Sequence, residues 1–189
     1  MAFGYPVMLD VGGVPVLVVG GGRVASRKAK ALVEAGAVVT VVAPDVDDEL
    51  AELVAVVHRR SYAATDIEGH RLVLTATNDA SVNAAVAADA TAAGLWVNSA
   101  DDPANCSFIL PAVARRDPVV VSVSSGGASP ALASHLRDEI AASVLDGVDV
   151  AAADLSRQRA EVHAAGGSTE DISWDERVRA ALARARDAR

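Results

Sequence analysis

A run of aliphatic residues that stops at three consecutive glycines constrains this chain more than any other feature. Val16–Val19 has the composition of a buried strand, Gly20–Gly22 follow directly, and a helical pattern comes next. In a strand-to-helix turn of this kind, Gly20 suits the tight turn, and Gly22 lets the backbone approach a phosphate that any β-carbon would push away. The segment therefore predicts a dinucleotide-binding turn near the start of the protein.

The residues that follow the glycines support this interpretation. A helix is predicted over 25–35, in which Ala25 replaces a third glycine and still allows close helix–strand packing. Gly36 stands at the C′ position of that helix, and a second strand is predicted over 38–42. Free N–H groups and a partial positive charge at the helix start favour a pyrophosphate there. The alternative is a glycine-rich turn with no nucleotide. The predicted cofactor-binding residues at this turn are Gly20, Gly22, Arg23 and Val24.

Composition excludes several classes of protein. The formal net charge of −8 is unfavourable for binding nucleic acid, whose phosphate backbone attracts a basic surface. The single cysteine, Cys106, leaves no internal disulfide and fits a reducing compartment. The N-terminal residues show no basic stretch before a long apolar run, and no apolar stretch approaches the roughly 18 residues that span a bilayer. We therefore expect a cytoplasmic protein with no nucleic-acid or membrane partner.

An alternation of strands and helices continues after the second strand. The pattern predicts a strand over 71–77, an alanine-rich helix over 82–93 and a short strand over 95–97. In a doubly wound parallel sheet, ligands bind beyond the carboxyl ends of the strands. Thr77, Asn98 and Asp101 follow such ends, so we expect them at the same edge as the glycines, with Thr77 at the cofactor.

A second candidate anion site lies in a Ser/Gly loop. A strand is predicted over 119–123, and Ser129 and Pro130 are typical of the N-cap and the first residue of the helix that follows. Backbone N–H groups and the hydroxyls of Ser124 and Ser125 at such a helix start suit a carboxylate or a phosphate. The alternative is a capped helix start that binds nothing.

Several motifs occur together in the order found in one family. They are Val-Gly-Gly-Gly-Arg-Val-Ala from Val19, Glu34–Ala37, Thr75–Asp79, Asn98–Pro103, Phe108-x-x-Pro111 and Ser124–Pro130. From about Pro6 to about Ile140 the chain resembles the precorrin-2 dehydrogenase family, the N-terminal module of siroheme synthase. Together these motifs are far more specific than the glycines alone. The tail after position 150 resembles the family only in being helical.

The resemblance implies an enzyme that uses NAD to remove two electrons and two protons from the tetrapyrrole precorrin-2, forming sirohydrochlorin. It implies ferrous or cobaltous ion as a further substrate in members that insert a metal, on a route to siroheme or cobalamin. It also implies a homodimer in which the segment after the nucleotide domain interlocks two chains. The expected α/β fold has a Rossmann-type doubly wound parallel sheet over 1–112, a dimerisation segment over 113–148 and a small C-terminal helical domain over 149–189.

Matched residue by residue, the key aspartate of the family falls on Asp101, and its substrate-contacting serine falls on Ser124. The resemblance thus assigns Asp101 to catalysis, because a carboxylate near the departing hydride can accept a proton or orient the macrocycle. Asp102, before Pro103, is the neighbouring candidate and is more typical of a surface turn. The expected substrate-binding residues are Asn98, Ser124, Ser125 and Gly126.

The carboxylate that usually binds the adenosine ribose is absent from the end of the second strand. The chain reads Val42-Ala43-Pro44-Asp45, and Asp45 either approaches the ribose or starts the next turn. Pro44 and Asp45 are therefore the residues expected at this part of the cofactor. The resemblance favours NAD over NADP.

No metal site is expected on the protein itself, since the four histidines show no ligand spacing and Cys106 has no partner cysteine. Two alternative functions remain open. One is a nucleotide-sensing regulatory domain of the potassium-uptake type, which would not need the Ser/Gly loop. The other is a chelatase without dehydrogenase activity. A short-chain dehydrogenase is excluded, because Tyr62 does not begin the Tyr-x-x-x-Lys motif that such an enzyme requires.

Overall fold

The computed structural model describes residues 4–100 and 102–187. The chain divides into two compact units at the boundary between Leu110 and Pro111. The predicted division into three parts, with boundaries at 112 and 148, remains a prediction. Among the helices in the described ranges, none combines the length and the apolar composition that crossing a bilayer requires.

The first unit is built on a five-stranded parallel sheet. The strands are β1 Pro15–Val19, β2 Val38–Val42, β3 Val56–His58, β4 Leu72–Thr75 and β5 Trp96–Ser99. The helices are α1 Arg23–Glu34, α2 Asp48–Leu53 and α3 Ala80–Ala92. The strand order is β3-β2-β1-β4-β5, and every neighbouring pair is parallel. This arrangement confirms the predicted Rossmann-type sheet.

The central strand β1 is apolar on both of its faces. Val16 and Val18 pack with residues of α1 and α2, whereas Leu17 and Val19 pack with residues of α3. Each of these four side chains is at most 2% exposed. A strand covered on both faces has a continuous apolar sequence instead of an alternating one. The aliphatic run before the glycines therefore reflects helices on both sides of the sheet, which is the doubly wound arrangement.

Small side chains allow α1 to lie close to the sheet. Ala25 and Ala29 are fully buried in the contact. The helix begins at Arg23, slightly before the predicted start at residue 25, because extended Gly22 already serves as its N-cap. It ends as predicted, since Gly36 has a φ of +86° and donates its N–H to the Val33 carbonyl at 2.9 Å.

The predicted bounds of β4 and α3 were each wrong by a few residues. β4 ends at Thr75 rather than Thr77, because the Thr77 amide donates to the side-chain oxygen of Asn83 at 3.1 Å instead of extending the ladder. α3 begins at Ala80 rather than at 82, because the Asp79 carboxylate accepts the first free amides and caps the helix there.

β5 also extends further than the sequence suggested. It was predicted to end at Val97, but Asn98 and Ser99 pair with Leu74 and Thr75 of β4. Both polar residues are buried, at 5% and 3% exposure. Polar residues that resemble a loop in the sequence thus belong to the sheet, and they carry side chains into its carboxyl edge.

The second unit combines a hairpin with three helices. Strands β6 Ala112–Arg116 and β7 Val119–Val123 are antiparallel, and β7 has the predicted bounds. The helices are α4 Pro130–Val144, α5 Val148–Ala164 and α6 Asp175–Asp187. α4 packs on the hairpin, and α5 packs on α6.

Alanines form the contact between α5 and α6. Ala151, Ala181 and Ala185 are each 2% exposed and are flanked by leucines. Next to this contact, the Asp154 carboxylate accepts a hydrogen bond from Arg184 at 2.6 Å and pairs with Arg157 as well. The Arg184 guanidinium lowers the pKa of Asp154 below its ordinary value. Apolar burial and an ion-pair cluster together join the two helices.

Candidate cofactor and substrate site

The glycine turn lies at the carboxyl edge of the sheet, at the end of its central strand. The strand order changes direction between β1 and β4, so this point is a topological switch point. Ligands of open α/β sheets bind in the crevice at such a point. The turns after β1, β2, β4 and β5 therefore form the candidate site of the first unit.

The surroundings of the missing β-carbon differ among the three glycines of the turn. Gly20 has a φ of +125°, and a β-carbon there would lie 2.5 Å from the Ala76 carbonyl oxygen. A β-carbon on Gly21 would overlap the backbone oxygen of Asp45. Gly22 has no such neighbour, so a side chain there would enter open space in front of α1. The neighbouring backbone requires the first two glycines, whereas Gly22 borders open space, and ligand binding there remains a prediction.

The start of α1 offers free hydrogen-bond donors. Gly22 caps the helix without a side chain, and the first bond within the helix runs from the Ser26 amide to the Gly22 carbonyl at 2.9 Å. The amides of the first turn, at Arg23 and Val24, therefore face outward without a helical acceptor. These donors and the open space at Gly22 fit the pyrophosphate of a dinucleotide.

The starts of two other helices are closed by side chains. At α3, the Asp79 carboxylate accepts the amides of Ser81 at 2.8 Å and Val82 at 3.3 Å. A bond from the Ser81 hydroxyl at 2.6 Å, followed by these two amide bonds, lowers the pKa of Asp79. At α4, the Ser129 hydroxyl accepts the Leu132 amide at 3.2 Å. The start of α1 differs from both, which supports the prediction that it holds the anionic part of a cofactor.

The turn after β2 packs against the glycine turn through its backbone. The Asp47 amide donates to the Gly21 carbonyl at 3.0 Å, and Pro44 and Asp45 are exposed at the carboxyl edge. Asp45 follows the end of β2 by several residues, so the usual position of a ribose-binding carboxylate holds no acid. The role of Pro44 and Asp45 at the cofactor remains a prediction.

A polar network holds the turn after β4. Asn83, 8% exposed on α3, accepts from the Thr75 hydroxyl at 2.5 Å and from the Thr77 hydroxyl at 2.9 Å. Its amide nitrogen donates to the Thr77 carbonyl at 3.0 Å. Thr77 is thus held beside the glycine turn, as predicted from its position. Asn83 was not predicted, although a polar residue on a helix face of alanines and valines is a signal that could have identified it.

Asn98 makes internal contacts. Its side-chain oxygen accepts from the Lys28 ammonium at 2.8 Å, and its nitrogen donates to the Phe108 carbonyl at 3.0 Å. Cys106 lies beside it and accepts the Ser99 amide at 3.1 Å, while burial raises the pKa of its thiol. Sequence reasoning considered Cys106 only for disulfide formation and metal binding, and it predicted no contact for Lys28. The role of Asn98 in substrate binding remains a prediction.

Of the two candidate aspartates, the structure describes only Asp102. Asp101 lies outside the described residues, so its catalytic role remains a prediction. Asp102 accepts a hydrogen bond from the Asn105 side-chain nitrogen at 2.7 Å, across the helical turn Pro103–Asn105. This contact gives Asp102 the turn-forming role that its position before Pro103 suggests.

The Ser/Gly loop of the second unit satisfies much of its own hydrogen bonding. The Ser125 hydroxyl accepts the Ser129 amide at 2.9 Å and donates to the Ser129 carbonyl at 3.0 Å. The exposed Ser124 hydroxyl accepts the Gly126 amide at 3.1 Å. Gly126 and Gly127 have φ values of +63° and +90°, and both face open space. The loop is a preformed turn, and its binding of a substrate remains a prediction.

These features define a dinucleotide-binding domain joined to a second unit with its own Ser/Gly turn. The chain belongs to the family described as "Putative NAD(P)-binding", which matches residues 7–112 and so more than half of the chain. A second family, "Sirohaem biosynthesis protein central", matches residues 116–143. The prediction of a nicotinamide dinucleotide as cofactor is therefore confirmed.

Comparisons with individual proteins agree with the families. The chain is 47% identical over 137 residues to a siroheme synthase of Ectopseudomonas mendocina and 48% identical over 139 residues to that of Methylococcus capsulatus, each match covering 71% of this chain. It spans about 30% of the length of these relatives. Among solved structures, "SirC, precorrin-2 dehydrogenase" matches with a TM-score of 0.75 and 28% identity, over 97% of this chain and 99% of that chain. The resemblance found in the sequence is confirmed.

Proposed function

We propose that this chain is an NAD-dependent precorrin-2 dehydrogenase that produces sirohydrochlorin. The observation that carries the proposal is the open start of α1 at the switch point of the sheet. It supplies a row of amide donors without helical acceptors at the point where open α/β sheets bind their ligands. The likeness to a precorrin-2 dehydrogenase along nearly the whole of both chains supports the choice of substrate.

The first unit would hold the cofactor through backbone groups. The amides of Gly22, Arg23 and Val24 would bind the pyrophosphate, and Thr77 would line the adjoining turn. When bound, NAD supplies the acceptor for the hydride. Asp45 and Asp47 on the turn after β2 and Asp48 at the start of α2 outnumber the Arg59 guanidinium that pairs with Asp48 at 3.7 Å, and this negative excess would repel the additional phosphate of NADP. This charge favours NAD.

Asp101 would act on the proton that must leave with the hydride. Oxidation of a carbon–carbon or carbon–nitrogen single bond releases two electrons and one proton as hydride, and the second proton needs an acceptor. A carboxylate at the carboxyl edge of the sheet is suited to accept it and pass it to solvent. Asp101 occupies the position in the sequence where β5 opens into this edge.

The Ser/Gly loop would bind carboxylates of the substrate. Precorrin-2 carries many carboxylates, and the loop offers the exposed hydroxyl of Ser124 together with the amide of exposed Gly127. Ser125 would keep the loop in shape through its two bonds to Ser129. Arg115 is exposed on β6, whereas Arg116 pairs with Asp149 at 3.2 Å.

A second copy of the chain would cover the exposed apolar residues of α4. Leu132, Leu136 and Val144 recur on this helix and are 50%, 38% and 46% exposed. Such a row of large apolar side chains is typical of an interface. Sedimentation should therefore give the mass of two chains, and a monomer at all concentrations would contradict the dimer.

The single cysteine fits a reducing compartment, and we therefore place the protein in the cytoplasm.

The proposed function is tested by an anaerobic absorbance trace. Precorrin-2 and NAD are mixed with the protein, and the formation of NADH and of sirohydrochlorin is followed together. Both products should appear in equal amounts, and NADP should support a slower reaction. Ferrous or cobaltous ion is then added to test metal insertion as a second activity. Metal insertion into sirohydrochlorin without NADH formation from precorrin-2 would show a chelatase instead, and binding of NAD without either reaction would show a sensing domain.

A further inference from the structure

Side chains close the loop that follows β5. The Ser99 amide donates to the Cys106 sulfur at 3.1 Å, and the Cys106 thiol donates to the Ser99 carbonyl oxygen at 3.2 Å. One step further, the Val97 amide donates to the Ser107 hydroxyl at 2.7 Å, and the Ser107 amide donates to the Val97 carbonyl at 2.9 Å. The loop after β5, described from Asp102 to Asn105, therefore returns to the sheet at a fixed base.

Asn98 adds a third connection at this base. Its side chain is 5% exposed and donates to the Phe108 carbonyl at 3.0 Å. Its oxygen accepts from the Lys28 ammonium at 2.8 Å. An ammonium can only donate and a carbonyl can only accept, so the two partners fix the orientation of the amide. Three consecutive residues of β5 thus hold the returning segment.

Lys28 joins this base to the cofactor helix. It lies on α1, whose first turn offers the donors for the pyrophosphate. A lysine ammonium normally extends into water, as exposed Lys30 on the same helix does. Lys28 is instead half-buried and directed at a buried amide. Partial removal of the charge from water is unfavourable unless the contacts at the ammonium compensate for it.

We propose that Lys28 and Cys106 are positioning residues for the reaction. Lys28 acts through Asn98, and Cys106 acts through Ser99, and together they fix the loop 102–105 relative to α1. Asp101 precedes this loop in the sequence, so its proton transfer would be sensitive to both contacts. This inference rests on the proposed function, since Asp101 has a proton to accept only in a dehydrogenase.

Kinetics of two lysine variants test the role of Lys28. Misplacement of a catalytic group by about 1 Å can cost up to about 100-fold in rate, so Lys28→Met should lower kcat by roughly tenfold or more. KM for NAD should stay unchanged, because the amides that bind the pyrophosphate remain in place. Lys30→Met is the matched control and should match the wild type. An unchanged kcat in Lys28→Met, or an equal loss in Lys30→Met, would overturn the proposal.

Hydrogen exchange gives a readout that needs no substrate. In Lys28→Met, the peptide covering 99–107 should exchange faster than in the wild type, while α3 exchanges at the same rate. Equal exchange of that peptide in both proteins would overturn the positioning role. If the wild type forms no NADH from precorrin-2 but the exchange still differs, the proposed function fails while the contact between α1 and the loop stands.

Two cysteine variants separate positioning from simple loss of packing. Serine keeps a donor and an acceptor at the position of the sulfur, whereas alanine removes both. We therefore expect Cys106→Ser to retain most of kcat and Cys106→Ala to lose it, with the same KM for NAD in both. Equal kcat in the two variants would show that the hydrogen bonds of Cys106 do not position the loop.

Discussion

Two strand-to-helix turns in this chain look alike in the sequence but differ in what they leave free. The turn at Gly20–Gly22 carries no capping side chain, so the first amides of α1 remain without acceptors. In the turn at Ser124–Ser129, the three serine hydroxyls accept backbone amides, those of Gly126, Ser129 and Leu132 in turn, and the last of these bonds caps α4. A ligand that binds the amides of the first turn would displace no protein acceptor from them. At the second turn, a ligand must use the exposed Ser124 hydroxyl or the amides that the cap does not occupy.

Glycine and serine have opposite effects on the free donors at a helix start. Glycine keeps a helix start open, and two of the three glycines also prevent overlap with neighbouring backbone. Serine closes a helix start and preforms the turn at the expense of free donors. This difference supports the proposal that the cofactor binds at the first turn and only substrate carboxylates bind at the second.

The largest expected effect concerns the chemistry at the edge of the first turn. A carboxylate that transfers a proton contributes about 10²–10⁴-fold, so Asp101→Asn should lower kcat by about that factor. Asparagine has nearly the same shape, so NAD affinity and melting temperature should stay unchanged. Steady-state kinetics with precorrin-2 measure the loss.

Asp102→Asn is the control for this variant. Asp102 accepts from Asn105 within its turn, and the amide oxygen of asparagine can still accept that bond. This variant should therefore remain active. A loss in Asp102→Asn with full activity in Asp101→Asn would shift the assignment by one residue. Full activity in both would show that no carboxylate of the protein takes the proton.

The next largest effect concerns the open space at Gly22. Hydrogen bonds to charged groups contribute about 1.5–3 kcal/mol each, so a side chain that displaces the pyrophosphate from two amides should weaken NAD binding by about 100-fold or more. Gly22→Val should do this without unfolding the protein, because no atom lies near the new β-carbon. Calorimetric titration with NAD checks the affinity.

Gly21→Ala distinguishes an effect on the stability of the fold from an effect on ligand binding. Its β-carbon would overlap the Asp45 carbonyl oxygen, so this variant should lower the melting temperature strongly. Gly22→Val should change the melting temperature little. Tight NAD binding by a folded Gly22→Val would remove the distinction between the two turns.

A smaller effect is expected at the second turn. Replacing Ser124 and Ser125 together by alanine should raise KM for precorrin-2 by about tenfold, since hydrogen bonds to carboxylates are lost. NAD affinity should be unchanged. Ser129→Ala is the control: it removes a helix cap worth about 1 kcal/mol of stability and should leave KM alone. If the double variant lowers only the melting temperature, the loop is a capped helix start and nothing more.

The smallest effect concerns the second unit and its dependence on pH. The pKa of Asp154 is lowered in the folded state, chiefly by Arg184. Its contribution to stability is therefore present above its ordinary pKa and is lost as the pH falls through the lower folded value. In thermal melts, wild type should lose stability in this acidic range, and Asp154→Asn should lose less. Parallel melting curves would show that the ion-pair cluster contributes nothing.

Much of the first unit could be predicted because its signals are local. The bounds of β2 and the glycine that ends α1 follow from apolar runs and from one residue with positive φ. The need for glycine at position 21 could not be predicted, because it arises from Asp45 on another turn. Partners distant in the sequence decide such packing, and a single sequence does not display them.

The polar residues of the candidate site were the hardest to interpret. Asn98 and Ser99 have the composition of a loop, but they lie inside β5, where Lys28 donates to the Asn98 side-chain oxygen and Cys106 bonds to the Ser99 backbone. Asn83 looked like one residue of an alanine-rich helix, and its role depends on the threonines at the end of β4. Motif order located the site, whereas the hydrogen-bond partners that build it came only from the tertiary structure.

A crystal structure of the chain with NAD tests the central claim most directly. The account predicts that the pyrophosphate lies within hydrogen-bond distance of the amides of Gly22, Arg23 and Val24, with open contact to the position of the missing β-carbon on Gly22. A pyrophosphate bound at Ser124–Gly127, with the start of α1 left to water, would contradict it.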